Sequence, residues 1–541
     1  MPDRICEARA MLESEPARGD PAFSTFLRLV QSAEQPLRGS LVIVYRGCAF
    51  EFGHAGDAEA RVYEVMHRRR LGGRPSLEAV APQLDGEDPQ LGLEVDRDRR
   101  FPWPRVVDER PGEWVHPVVL VHSPHFFTRA LAERNLGLAE AFIEGGFEML
   151  RGSVHHFIGF MMVNGIDRKV EVGRREKLRL LRQYLSWRWS KSHNEDIADH
   201  YDMGDNIMVP MLGKTGVYTC GYLRHETDDL ETLQIQKMNL IFSKLRIEPG
   251  MRLLDMGCGN GGMLIHAALS WGCHGVGFTN SYNMASLARR NAEHNGVADK
   301  ITILHADHTV LKTFDSGGFD AVYEVGVWEH LPFSDYPWIM RECMRVQAPH
   351  GRMLIHSMGS HQKVHEHDDF IQKYIFKDSN QIRLHLLLDE ARKGDMFVAD
   401  VENIGRHYYW TLWYWRRNLM RAYEEDPTVG KHNFLIMLYF MECGMAESRF
   451  GDGSLYHILL FKDPRDYLQT WRVDGRILEP ERGEMEDRPF LMKPADLQEH
   501  LHNDQNADGK WDSMQLSWNG LVRIRMLCPQ FGPQSANHQA D

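Results

Sequence analysis

Three short segments combine side chains suited to gripping a ligand and moving a proton: Tyr218-Thr219-Cys220-Gly221-Tyr222, Glu329-His330 and His356-Ser357. Carboxylates and imidazoles exchange protons close to neutral pH when they are held in position. A cysteine adds a nucleophile only where its thiol ionises. Glu329 closes the apolar run Val325-Gly326-Val327-Trp328 and reads equally as a helix-start carboxylate or an active-site acceptor. His356 by itself reads as a satisfied structural histidine. Asn403 to Trp415 crowds in Tyr408, Tyr409, Trp410, Trp413, Tyr414 and Trp415. Most such rings are core, but their faces also stabilise cations. His361, His365 and His367 invite a metal reading; without a Cys/His ligand set elsewhere, no metal is expected.

These segments need a frame, and Leu253 to Gly262 supplies its centre. An apolar run ends in Asp255, glycines stand at 257, 259, 261 and 262, and Met263 to Leu269 favours a helix. Strand, tight turn and helix make the first unit of a doubly wound α/β sheet, whose ligand lies beyond the carboxyl ends of the strands. Gly257, Gly259 and Gly262 satisfy G-x-G-x-x-G, the dinucleotide pattern, which also wants an acidic residue about 20 positions on. The next strand, His274 to Phe278, runs instead into Thr279-Asn280-Ser281. Asp255 gives the loop the form D-x-G-x-G, common in S-adenosylmethionine (SAM) methyltransferases, and SAM is the favoured ligand.

The pattern downstream fits that frame. Strands are expected at Ile301–His305, Ala321–Val325 and Arg352–His356, with helices at Leu233–Leu245, Met284–His294 and Tyr336–Met344. Such alternation implies a mostly parallel sheet covered on both faces. A helix-rich stretch runs from about 370 to 445, and Leu455–Phe461 reads as an edge strand. Upstream, Leu41 to Phe52 reads as a hairpin around Arg46-Gly47, Val118–His122 as a strand and Phe126–Glu144 as a helix. Residues 68–112 read as a surface insertion. The expected order is a small N-terminal α+β domain (20–165), a basic linker helix (166–195), a catalytic domain (196–462) and a C-terminal extension (463–541).

Composition narrows the function. The chain has 541 residues and a net charge of −13, which argues against wholesale nucleic-acid binding. Its eight scattered cysteines, with no C-x-x-C pair, suit a reducing compartment. No signal peptide or membrane-spanning stretch is evident. Residues 168 to 191 interleave Arg and Lys with Leu and Trp, as in a helix lying on an anionic lipid surface or a solvated linker, the latter preferred. Asp504 to Gln515 opens like a calcium loop but lacks the closing glutamate, and reads as an Asx-rich turn.

Together the motifs resemble the cyclopropane-fatty-acyl-phospholipid synthases and the related mycolic acid cyclopropane synthases. The matching runs are His200-Tyr201-Asp202, Tyr218 to Tyr222, Leu253 to Gly262, Gly326 to His330, Leu354 to Gly359, Lys373 to Phe376 and Asn403 to Tyr408. The resemblance implies a class I SAM-methyltransferase, Rossmann-like fold with a smaller N-terminal lipid-binding domain. It implies methyl transfer to a cis double bond of an unsaturated phospholipid acyl chain, followed by loss of a proton from that methyl to close the ring. It implies bicarbonate as the base, held by Cys220, Glu329, His356 and Tyr408, with Cys443 structural or lining the pocket. SAM contacts carry over to Tyr201, Tyr218, Thr219, Asp255, Gly257, Cys258, Gly259, Gly261, Thr279, Asn280, Asn283, Asp307 and His308. Met284 and His308 depart from the family pattern, leaving the ribose and adenine contacts open. The resemblance further implies a cytoplasmic enzyme at a membrane surface, with a homodimer among the open expectations. The competing readings are a C-methyltransferase with a methyl-branched or methylene product, a small-molecule O- or N-methyltransferase, and a non-catalytic lipid-binding protein.

Overall fold

The computed structural model describes residues 19–33, 37–46, 48–53, 61–64, 112, 114–123, 125–167, 205–360, 368–377, 379–426, 428–463 and 465. The 68–111 part of the insertion, the basic segment 168–191, His361, His365, His367 and the 504–515 loop lie outside them, as does Tyr201. The described residues form two compact units. The first is drawn from within Met1–Lys237, Met358–Ile382 and Asn403–Leu455, the second from within Met238–Ser357, Arg383–Glu402 and Tyr456–Asp541.

The first unit is built on a five-stranded mixed sheet. Strands β1 (Leu41–Tyr45) and β2 (Cys48–Phe52) pair antiparallel as the expected hairpin, with Arg46 in the turn at φ 49°. Adding β3 (Arg61–Glu64), β4 (Val118–Val121) and β5 (Phe147–Arg151) gives the order β3-β2-β1-β4-β5. The Pro21–Gln31 helix starts cleanly because Asp20 accepts from the backbone N–H groups of Ala22 and Phe23 at 2.9 and 3.1 Å. Its Phe23 meets the rings of Tyr45, Phe50 and Phe127. The same apolar core takes in the helices Tyr408–Glu425 and Lys431–Phe450, through residues such as Leu419, Phe434 and Tyr439. Close helix contacts depend on missing side chains. A Cβ on Gly159 would sit 2.5 Å from the Phe450 ring.

The second unit holds a seven-stranded sheet of β6 (Arg252–Met256), β7 (His274–Thr279), β8 (Ile301–His305), β9 (Phe319–Val325), β10 (Gln347–Ser360), β11 (Phe397–Asn403) and β12 (Gly453–Phe461). Their order is β11-β12-β10-β9-β6-β7-β8. The pairs β6–β7, β6–β9, β7–β8 and β9–β10 are parallel, with the intervening helices as crossovers. This is the doubly wound, Rossmann-like sheet of class I SAM methyltransferases, and the order reverses at β6, which carries the glycine loop. One expectation fails: the strand at 455–461 is not an edge. β12 lies between β11 and β10, which explains why Ser454 through Phe461 are all buried. The edge is β11, whose polar sequence Phe397-Val398-Ala399-Asp400-Val401-Glu402-Asn403 hid it from pattern reading.

Candidate active site

The glycine loop is shaped by backbone that only glycine tolerates well. Gly257, Gly259 and Gly261 have φ of 79°, 51° and 83°, and a Cβ on Gly257 would fall 2.4 Å from Val327 Cγ2. Both Gly257 and Cys258 donate their N–H to the Phe278 carbonyl at 2.9 Å, tying the loop to β7. Asp255 is almost wholly buried at the end of β6. Burial first, and then the charge of Asp255, hold the Tyr323 phenol well above its usual range. A compact, glycine-rich loop beside a buried carboxylate suits a cationic nucleoside such as SAM.

The neighbouring loops complete this side of the sheet. Thr279 ends β7, and Ser281 caps the Tyr282–His294 helix by accepting from Met284 N–H at 3.3 Å. The Asn280 backbone carbonyl accepts from His305 Nε2 at 3.1 Å, while Asn283 is exposed in the first helical turn. Asp307 caps the turn at His308–Thr313 through Thr309 N–H at 2.8 Å. His308 packs on Trp338 with ring centroids 5.3 Å apart, and burial lowers its pKa despite Asp307 and Asp335 nearby. It therefore offers a neutral ring surface.

Glu329 follows the end of β9, and His356 lies on the adjacent strand β10. His356 is registered against Val325 on β9, and its carbonyl accepts from Gly326 N–H at 2.8 Å. That bond anchors the turn leading to Glu329, which is buried in the short helix Trp328–His330. A further carboxyl, Glu324, accepts from Val327 N–H at 2.8 Å within the same turn. Burial first, and then the charge of Glu329, push the Glu324 carboxyl well above the usual carboxylate range. Sequence reasoning missed Glu324, although an acid directly after the apolar run Ala321-Val322-Tyr323 was a visible signal.

In the first unit, Cys220 and Tyr408 meet in one small cluster with Ile404 and Leu455. Cys220 is fully buried, and its thiol donates to the Gly221 carbonyl at 3.2 Å. Burial pushes that thiol up to about 12, against the opposing pull of Lys237. It is therefore no thiolate nucleophile near neutral pH. The next residue's N–H is held by Thr411 Oγ1 at 2.9 Å, while Thr219 takes a 2.9 Å bond from Lys237 Nζ. Tyr218 lies 5.2 Å from the Trp415 ring, and Tyr408 lies 6.1 Å from it. Cys443 sits apart from this cluster. Its thiol donates to Asn135 Oδ1 at 3.4 Å beside Tyr439, with its pKa raised by burial.

The fold and the glycine-loop geometry define a SAM-dependent methyltransferase. Residues 189–457 match the family model described as mycolic acid cyclopropane synthetase. That is the family the motifs resemble. The cyclopropane-fatty-acyl-phospholipid synthase of Escherichia coli (strain K12) is 28% identical over 356 residues, 65% of this chain and 90% of that enzyme. A probable fatty acid methyltransferase of Mycobacterium tuberculosis is 31% identical over 50% of this chain and 64% of its own length. The solved structure of a cyclopropane synthase from Mycobacterium tuberculosis covers 50% of this chain and 99% of its own, with 22% identity and a TM-score of 0.47.

Proposed function

We propose that this enzyme methylates a cis double bond in an unsaturated phospholipid acyl chain and closes a cyclopropane ring, with bicarbonate as the base. The observation that carries the reading is the placement of Glu329 just after β9 and of His356 on the adjacent strand β10, in register with the last residue of β9. An alkene has no proton to surrender before it attacks, so the first step depends mainly on alignment against an electrophilic methyl. SAM supplies that methyl on a sulfonium centre. Methyl transfer leaves a carbocation in the chain, and the ring closes when one C–H electron pair of the new methyl bonds to that carbon. The released proton needs an oxygen base at that spot.

Glu329 and His356 are assigned to hold the anion, one accepting and one donating a hydrogen bond, and the resemblance adds Cys220 and Tyr408. The buried Cys220 thiol supports this division of labour, because it is a hydrogen-bond donor rather than a nucleophile. Asp255, Gly257, Gly259 and Gly261 are assigned to SAM, with Tyr218, Thr219 and the loops after β7 and β8. The setting is taken to be the membrane surface. Among the described residues no helix is long and apolar enough to cross a membrane.

The test is labelled SAM with vesicles of mixed unsaturated phospholipid, with products read by mass spectrometry. A gain of one CH₂ that survives hydrogenation, together with dependence on added bicarbonate, is the expected result. Glu329→Gln should lower kcat by about 100-fold, the lower end of the range for a positioned acid–base group, with SAM affinity by calorimetry unchanged. Full activity in that variant, or a product formed without bicarbonate, would reject the assignment. A methyl-branched product is the second reading. Sphingolipid C9-methyltransferase A of Emericella nidulans, 26% identical over 297 residues, favours it.

A further inference from the structure

A run of buried polar side chains stands behind His356, within the second unit. Its Nδ1 lies 2.8 Å from Nε2 of His457, on β12. The other nitrogen of His457, Nδ1, lies 3.1 Å from Lys244 Nζ. Lys244 in turn pairs with Glu402 at 2.6 Å, with Asp400 at 3.9 Å. His356, His457 and Lys244 are each no more than 1% exposed. Taking an ammonium out of water is costly even when it is paired. A lysine spent in this way, behind a histidine of β10 that lies beside the end of β9, points to a job beyond holding the sheet together.

The chemistry of the three groups gives the run a single direction. An ammonium carries only donors. His457 Nδ1 must therefore accept from Lys244, which leaves the His457 proton on Nε2. That proton is donated to His356 Nδ1, so the neutral His356 ring carries its own hydrogen on Nε2. The reverse arrangement would set an N–H of His457 against the ammonium. We propose that Lys244 and His457 are positioning residues that lock His356 in its Nε2–H tautomer, making it a permanent hydrogen-bond donor toward an anion. The proposal rests on the reading of His356 as a bicarbonate ligand and explains how the fold keeps that ligand donating. It also accounts for a histidine inside the otherwise apolar run Leu455-Tyr456-His457-Ile458-Leu459. Fixing which ring nitrogen carries the proton is a known task for the group behind a functional histidine.

Long-range proton–nitrogen NMR on protein labelled with ¹⁵N-histidine tests the lock directly, with the His356 signals assigned by their loss in His356→Asn. The wild-type ring should be the Nε2–H tautomer, and Lys244→Met should release it to a mixture. Lys244→Arg, which still donates, should keep it. In the vesicle assay Lys244→Met and His457→Phe should cut kcat by about 10- to 100-fold, the cost of removing an orienting partner in metal centres. The half-saturating bicarbonate should rise, while SAM affinity by calorimetry stays level. An Nδ1–H tautomer in the wild type overturns the proposal and needs no disruptive variant. So does a tautomer indifferent to a folded Lys244→Met. A locked tautomer in an enzyme indifferent to bicarbonate supports the lock and overturns only the anion assignment.

Discussion

Cys220 illustrates how burial decides what a side chain can do. Its thiol is enclosed, donates to a neighbouring carbonyl and is pushed up to about 12 by desolvation. In native protein near pH 8 it should resist iodoacetamide, and peptide mass mapping after a timed pulse would show this. The same shift leaves a mark on stability. Below pH 9 the thiol keeps its proton in both folded and unfolded chains, so its contribution is complete. Between pH 9 and 12 the unfolded thiol ionises while the folded one does not, and stability falls as the pH rises. Urea midpoints measured across that window should fall less steeply in Cys220→Ser than in the parent. Cys273, also raised to about 12 by burial, retains part of the slope.

At the scale of elements, the glycine loop is the most demanding piece of backbone. Gly257→Val would force a side chain into the left-handed region and against Val327, the residue whose turn leads to Glu329. The backbone penalty alone is about 1–2 kcal/mol. SAM affinity by calorimetry should fall by at least about tenfold, which is what 1.4 kcal/mol is worth, with kcat falling as well. The loop was legible from sequence because glycine spacing and an acidic strand end are written in consecutive residues. The hairpin at 41–52 was legible for the same local reason. β11 was not, because an edge strand bearing Asp400 and Glu402 carries little apolar alternation. The run behind His356 was hidden differently. Lys244, Glu402 and His457 lie far apart in the chain, and only the packing of the helix that carries Lys244 beside β11 and β12 brings them into contact.

At the scale of the whole molecule, charge buried inside the first unit is a structural commitment. Arg416 is fully enclosed and pairs with Glu442 at 3.0 Å, while Glu442 also accepts from the His155 N–H at 2.8 Å. Glu442→Leu would strand the guanidinium without its counter-charge, at about 3–5 kcal/mol. The urea midpoint should drop accordingly. The double variant Glu442→Leu with Arg416→Met should recover most of the loss, since the isolated charge is then gone. Failure of that recovery would mean the surrounding groups, and not the charge, set the cost.

The interleaving of segments in the first unit also bears on how the protein is born. Phe23, Phe127 and Phe157 share their core with Leu419, Phe434 and Tyr439, more than 250 positions downstream. As the nascent chain leaves the ribosome, the early sheet must wait with greasy surface uncovered until nearly the last catalytic helix emerges. During that interval a holding chaperone is the natural guardian, and a premature stop anywhere before 450 releases a sticky half-core rather than a smaller working protein.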